Sequence, residues 1–283
     1  GHFINGQAVA GTSGNTGVVN NPATGQQTGS VALASVGEID DAVAAAKEAF
    51  ETWGKSSISN RTKLMFKLRN LVEENADALA AAVSSEHGKV HSDAFGEVAR
   101  GLDNIEYACN IGELMRGGHS NQVATGIDVT TVRRPLGVVA GITPFNFPAM
   151  VPLWMIPNAI ATGNCFILKP SEKDPSVALM MAELIAEAGF PPGVFQVVNG
   201  DKVAVDAILE HRDISAVSFV GSTPIARYIH QTATTNGKRV QALGGAKNHM
   251  LVLPDADIGL AADAAVSAAY GSAGERCMAI SVA

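Results

Sequence analysis

Four short segments of this chain carry side chains suited to oxidising a carbonyl compound. Cys277, in Gly271-Ser-Ala-Gly-Glu-Arg-Cys-Met-Ala279, offers a thiol nucleophile directly after Arg276, whose cation favours a thiolate. Asn146, in Thr143-Pro-Phe-Asn-Phe-Pro148, offers a side-chain amide that can donate to an oxyanion. Lys169-Pro-Ser-Glu172 ends an apolar run with a cation and a carboxylate. A carboxylate there can accept both hydroxyls of a ribose and would repel a 2′-phosphate, a repulsion that neighbouring Lys173 softens. Phe219-Val-Gly-Ser-Thr-Pro224 places Gly221 and Ser222 where a helix starts. Its backbone N–H groups and the positive end of the helix dipole suit a phosphate there, and proline is tolerated in a first turn.

Taken singly, each segment has a plainer reading. Cys277 also reads as a buried cysteine in a strand, and Asn146 as an Asx turn between prolines. The segment 169–172 also reads as a solvated loop, and 221–224 as a capped helix. Cys165, flanked by Phe166-Ile-Leu168, reads as packing, and so does Cys109 in helical Tyr107-Ala-Cys-Asn110. No GxGxxG fingerprint is present, and no histidine is placed by a motif to serve a cysteine hydrolase. What is specific is the set of four in this order.

The elements that must position these groups follow from length and pattern. A chain of 283 residues suggests roughly two domains at about 150 residues each. Apolar residues make up 47% and charged ones 17%, which supplies a large core and excludes a disordered chain. A net charge of −7 argues against nucleic acid as a partner, since phosphate backbones want a basic face. Three scattered cysteines without a CxxC or a Cys/His cluster point to a reducing compartment, with neither a disulfide framework nor a bound metal. No apolar run reaches the 18 or so residues of a membrane span, and the start resembles neither a signal nor a transit peptide. The expected location is the cytoplasm of a bacterium, or the mitochondrial matrix in a eukaryote after removal of a presequence.

Turns and short strands are expected to about Gly29, then helices over 38–53, 60–85 and 89–116. The β-branched stretch 128–134 predicts an exposed or edge strand. From Gly137 short apolar runs alternate with helical stretches: strands at 138–142, 165–168, 194–198, 216–220 and 239–243. Helices at 149–161, 176–188, 202–210 and 223–234 lie between them. That alternation predicts an α/β fold, a parallel sheet with helices on both faces. Ligands of such sheets bind beyond the carboxyl ends of the strands, where Asn146, Lys169, Glu172, Gly221 and Ser222 fall. A further strand at 250–253, a helix at 258–270 and a final strand begin a second unit, which reads as incomplete.

At these residues the chain resembles the aldehyde dehydrogenase superfamily, along essentially its whole length. The landmarks are Thr143-Pro-Phe-Asn-Phe-Pro148, Lys169-Pro-Ser-Glu172, Phe219-Val-Gly-Ser222, Leu243-Gly-Gly245 and Gly274-Glu-Arg-Cys277. The resemblance implies a Rossmann-like NAD-binding domain (1–118 and 137–242), an oligomerisation β-arm (119–136) and the start of a second, catalytic α/β domain (243–283). It implies Cys277 as nucleophile, with Asn146 and the Cys277 backbone N–H as oxyanion hole. It implies an NAD site made of Thr143, Phe145, Lys169, Glu172, Lys173, Gly221, Ser222, Leu243 and Gly244. Lys169 and Glu172 would hold the adenosine ribose there, and Ser222 the pyrophosphate. Such proteins continue well beyond the nucleophile, so the chain alone is expected to bind adenosine at best and to be inactive. A full-length protein is expected to be a homo-oligomer, a dimer of dimers.

Two departures sharpen the expectation. The superfamily's Glu-Leu-Gly-Gly supplies a base that activates the hydrolytic water; here Gln241-Ala-Leu-Gly-Gly245 has Ala242 in that place. Without a base, water attack on a thioester forgoes the roughly 10²–10⁴-fold of general base catalysis, whereas a thiol ionises near neutrality. Coenzyme A is therefore the expected acyl acceptor. Arg276 and Arg100, the latter in Gly96-Glu-Val-Ala-Arg-Gly101, would suit a substrate bearing its own carboxylate, though each also reads as a structural ion pair. Both departures resemble the CoA-acylating methylmalonate-semialdehyde dehydrogenase branch, as do Glu86-His-Gly-Lys-Val90, Asn104-Ile-Glu-Tyr-Ala-Cys109 and Gly221-Ser-Thr-Pro-Ile-Ala-Arg-Tyr228. That branch converts methylmalonate or malonate semialdehyde to propionyl-CoA or acetyl-CoA with loss of CO₂. The alternatives are a hydrolytic NAD-dependent aldehyde dehydrogenase and a non-catalytic NAD-binding or structural relative.

Overall fold

The computed structural model describes residues 1–283. Four short strands come first: β1 (His2–Ile4), β2 (Gln7–Val9), β3 (Thr16–Asn21) and β4 (Gln26–Ala32). Asn5 and Gly6, both at positive φ, form the two-residue loop between β1 and β2, as Asn-Gly does in hairpins. Helix α1 (Val36–Trp53) starts from a capping box in which Ser35 and Glu38 satisfy each other's backbone N–H groups. Its buried face carries Ile39, Val43, Ala46 and Trp53, and the Trp53 indole N–H donates to the Ile160 carbonyl at 3.1 Å.

The two long helices expected at 60–85 and 89–116 are each broken. The first divides into α2 (Ile58–Glu74) and α3 (Ala76–His87), the second into α4 (His91–Cys109) and the single turn α5 (Ile111–Leu114). Asparagine stands at both breaks. Asn75 leaves helical geometry at φ −103°, ψ 11° and turns its amide back to the Leu71 carbonyl at 2.8 Å, local competition that favours ends over interiors. Next come β5 (His119–Ala124) and β6 (Ile127–Thr130), an antiparallel hairpin exposed along its whole length. The strand expected at 128–134 thus stops at Thr130.

The βα alternation then appears as read. It comprises β7 (Val138–Ile142), α6 (Met150–Ala161), β8 (Cys165–Lys169), α7 (Ser176–Glu187) and β9 (Phe195–Val197). It continues through α8 (Lys202–Glu210), β10 (Ile214–Val220), α9 (Thr223–Thr235) and β11 (Arg239–Leu243). The seven-stranded sheet has the order β11-β10-β7-β8-β9-β1-β2. Strands β7 to β11 are parallel, and β1 joins β9 antiparallel through Phe3 and Val197. Helices α6 and α7 pack with α2, α3 and α4 on one face, and α1, α8 and α9 pack on the other. One contiguous core joins them, while Phe147, Met150 and Val151 form a separate small cluster under the loop after β7.

The remaining elements are β12 (Asn248–His249), α10 (Ile258–Tyr270) and β13 (Ile280–Val282). Residues 250–253, where the sequence predicts a strand, form none; the strand in this region is β12, which ends just before them at His249. Its parallel partner β13 is only three residues long, so pairing ends once the Met250 N–H reaches the Val282 carbonyl. Helix α10 buries none of its residues. No helix is long and apolar enough to cross a membrane.

Candidate active site

The strand order fixes where a ligand can enter. The chain runs from β7 outward through β8 to β9, then returns to β7's other side for β10 and β11. That reversal between β7 and β10 is a topological switch point, and open α/β sheets bind ligands just beyond it. The loops leaving β7 and β10 wall a cavity of about 480 Å³ there, with the cysteine loop opposite. Asn146, Phe145, Gly221, Ser222, Gly244, Arg276 and Cys277 all line it. Segments far apart in the chain, from Phe145 to Cys277, therefore meet as the motifs required.

Lys169 and Glu172 sit one strand along, at the end of β8. The Thr143 N–H donates to the Lys169 carbonyl at 3.2 Å, and Lys169 Nζ pairs with Glu172 Oε2 at 3.2 Å. Thr143 is buried with its Oγ1 unpartnered. Phe145 lies between the His87 ring, stacked at 6.4 Å, and Lys173 Nζ at 4.5 Å, the latter a cation–π contact. At the start of α9, next to the cavity-lining Ser222, no side chain caps the helix, so its first N–H groups have no side-chain partner. Gly244 is required by close approach: a Cβ would sit 2.9 Å from Thr223 Oγ1, which also accepts from the Gly245 N–H. Leu243 is outside the cavity wall and contributes its carbonyl to the Gly221 N–H at 3.1 Å.

The cysteine loop is strained and tied down. Ser272 and Ala273 both adopt φ 56°, a left-handed conformation that costs roughly 1–2 kcal/mol per non-glycine residue. Two long-range bonds hold it: the Ser272 N–H donates to Asp93 Oδ2 at 2.9 Å, and the Asn248 amide donates to the Cys277 carbonyl at 2.7 Å. Cys277 is exposed while Cys109 and Cys165 are buried. Burial pushes the Cys165 thiol up to about 12 and, with the Glu106 charge, raises Cys109 as well. Only Cys277 is presented for reaction.

The two arginines part company. Arg276 lines the cavity, but its Nη2 is spent on the Ser267 and Ala268 carbonyls at 2.8 and 2.9 Å, a cation placed at the negative end of α10. Arg100 is three-quarters exposed on α4, bonded to Asp103 at 2.8 Å, and is not on the cavity wall. Ala242 lies half-buried against the core, and Glu275 is the only carboxylate among the lining residues.

Behind the 143–150 loop lies a buried polar cluster, three of whose members fall in the stretches Glu86–Val90 and Gly96–Gly101. Lys89 and Glu97 pair at 2.6 Å with both side chains fully buried. His87 is held down to about 4, by burial and then by the Lys89 charge. Asp174, 1% exposed, makes no hydrogen bond through either carboxylate oxygen. Burial pushes it up to about 8, with the charges of Glu86 and Glu97 adding to the rise and Ser171 and Lys89 opposing it.

Known proteins share both sequence and structure with this chain. It is 56% identical over 281 residues to malonate-semialdehyde dehydrogenase 3 of Geobacillus kaustophilus, covering 99% of this chain and 58% of that protein. It is 53% identical over 282 residues to malonate-semialdehyde dehydrogenase of Pseudomonas aeruginosa, covering 100% and 56%. Among solved structures, methylmalonate-semialdehyde dehydrogenase of Oceanimonas doudoroffii superposes with a TM-score of 0.96 at 54% identity, over 99% of this chain and 57% of that one. A structure from Sinorhizobium meliloti described as that same enzyme complexed with NAD superposes with a TM-score of 0.97, again at 54% identity and over the same shares. The chain thus spans a little over half the length of the relatives it matches. The sequence pattern of the aldehyde dehydrogenase family matches residues 9–283, a span that takes in every landmark from Asn146 to Cys277. The chain belongs to the aldehyde dehydrogenase family.

Proposed function

We propose that this chain supplies the nucleotide site and the nucleophile of an NAD-dependent, CoA-acylating malonate- or methylmalonate-semialdehyde dehydrogenase, within a protein of its relatives' full length. The observation that carries this is the meeting of exposed Cys277 with Asn146 at the switch-point cavity. NAD fits the residues present. The uncapped α9 start beside Gly221 and Gly244 admits a pyrophosphate, and the Lys169–Glu172 pair admits a ribose diol. NAD bound there supplies the hydride acceptor.

The chain's own groups do the rest. Cys277 Sγ forms a bond to the aldehyde carbon while the carbonyl π pair moves to oxygen, and the thiol proton goes to solvent. The Asn146 amide and the Cys277 N–H stabilise that oxyanion. Departure of hydride re-forms the carbonyl and leaves a thioester on Sγ. A CoA thiolate then attacks, forming the new C–S bond and expelling the Cys277 thiolate. The carboxylate β to the thioester carbonyl leaves as CO₂, its C–C bonding pair passing into the thioester enolate, which takes a proton from solvent. The Arg276 guanidinium on the cavity wall, together with Arg100 once released from Asp103, supplies the counter-charge for a substrate carboxylate. The exposed β5–β6 hairpin, with Val123, Ile127 and Val129 uncovered, is the arm through which copies of the protein associate.

NADH formation from malonate semialdehyde, followed in the full-length protein with and without CoA, tests this. Turnover that needs CoA and yields acetyl-CoA supports the acylating reading. Equal turnover without CoA defeats it and favours the hydrolytic one, with Glu275 as the carboxylate placed to activate water. A second expectation concerns the nucleotide. Glu172→Ala raises the Kd for NAD roughly 10- to 100-fold, the range expected for a charged hydrogen bond, and narrows the preference over NADP. Unchanged affinities by fluorescence titration would remove Glu172 from the site.

A further inference from the structure

We propose that the buried Lys89–Glu97 pair is a positioning device for Asn146, fixing the backbone that delivers its amide to the oxyanion. The inference rests on the reading of Asn146 as oxyanion donor. Lys89 Nζ donates to the Asn146 carbonyl at 2.8 Å and to Glu97 Oε2 at 2.6 Å, and it lies 4.1 Å from the Phe147 ring centroid. Glu97 Oε1 accepts from the N–H groups of Ala149 and Met150 at 2.8 and 3.1 Å.

These are the first N–H groups of α6, and that helix has no side-chain cap of its own. Glu97, on α4, caps it from 52 residues away. One ion pair thus clamps both ends of the segment from Asn146 to Met150. A surface salt bridge would be worth little, but here neither side chain touches water. Each charge is satisfied by the other and by the loop, so the loop cannot shift without stranding a buried charge. Misplacement of a catalytic group by about 1 Å can cost about 10²-fold in rate, which is the reason to invest a buried pair at this place.

The test is a double-mutant cycle on the full-length protein, read as the rate of the first NADH burst. Asn146→Ala should slow the burst by about 10²–10³-fold, as loss of an oxyanion donor does. Lys89→Met should slow it by 10-fold or more, up to about 10²-fold, with the Kd for NAD unchanged. On the Asn146→Ala background, Lys89→Met should add nothing, because its effect passes through that amide. Lys89→Met leaves Glu97 buried and unpaired, so Lys89→Met/Glu97→Gln, which removes both charges, keeps the measurement open if the single variant does not fold. It should fold and still show the slow burst. An equal loss on both backgrounds, or no loss on either, overturns the positioning role. A burst unaffected by Asn146→Ala itself instead defeats the oxyanion assignment beneath it.

Discussion

Replacing Cys277 with alanine is expected to abolish NADH formation, first burst included, while fold and NAD affinity persist. The side chain is exposed, and the Cys277 contact that organises the loop is a backbone one, its carbonyl accepting from Asn248. Loss of the thiol should therefore change stability within about 0.5 kcal/mol, as for surface substitutions generally. No other thiol can stand in. Cys165 is buried in β8 with its pKa pushed up to about 12, and Cys109 is buried on α4 with its own raised. Covalent chemistry needs the thiolate, so the loss is all or none rather than graded. Stopped-flow absorbance of NADH over the first turnover, with mass spectrometry for an acylated chain, measures it on the full-length protein. A burst that survives Cys277→Ala would show that hydride leaves without a covalent adduct.

How much of this was legible in the sequence depended on what each residue had to signal. The parallel strands were visible because burial on both faces makes them short apolar runs, as in Val138–Ile142 and Cys165–Lys169. The site motifs were visible because their positions follow strand ends, and the switch point brought Asn146, Ser222 and Cys277 to one cavity. The breaks at Asn75 and Asn110 were hidden, since apolar spacing continues through both; a side-chain bond to the preceding turn marks the first, and only the backbone geometry marks the second. Lys89, Glu97 and Asp174 were hidden for a different reason. Charged residues on amphipathic stretches ordinarily face water, and nothing in the order of the chain places residue 89 beside 97, 146 and 174. Arg100 shows the converse: a motif position can be occupied by a side chain that prefers a local partner, here Asp103.

That hidden cluster makes stability depend on pH in a way one substitution should rewrite. Asp174 rises from its ordinary 3.8 to about 8 through burial first, then the charges of Glu86 and Glu97. Between those values the folded chain holds a proton that the unfolded chain has lost, so stability falls as pH rises toward 8. Integrated over the window, this shift is worth on the order of several kcal/mol. His87 acts in the opposite sense. Burial and Lys89 lower it from 6.5 to about 4, so the unfolded chain binds the extra proton there and stability rises from pH 4 to 6.5. Buried His2, lowered as well by desolvation, adds to that rise. The two slopes oppose each other below pH 6.5, and from there to pH 8 the fall due to Asp174 is no longer offset by His87. Asp174→Asn, which resembles the protonated carboxyl and cannot ionise, should abolish the decline from pH 6.5 to 8 and uncover the His87 rise between 4 and 6.5. Urea midpoints at constant m-value across that range measure both limbs. A variant whose stability still falls between pH 6.5 and 8 as steeply as the parent's would mean that Asp174 is ionised in the folded chain, with a partner for its charge.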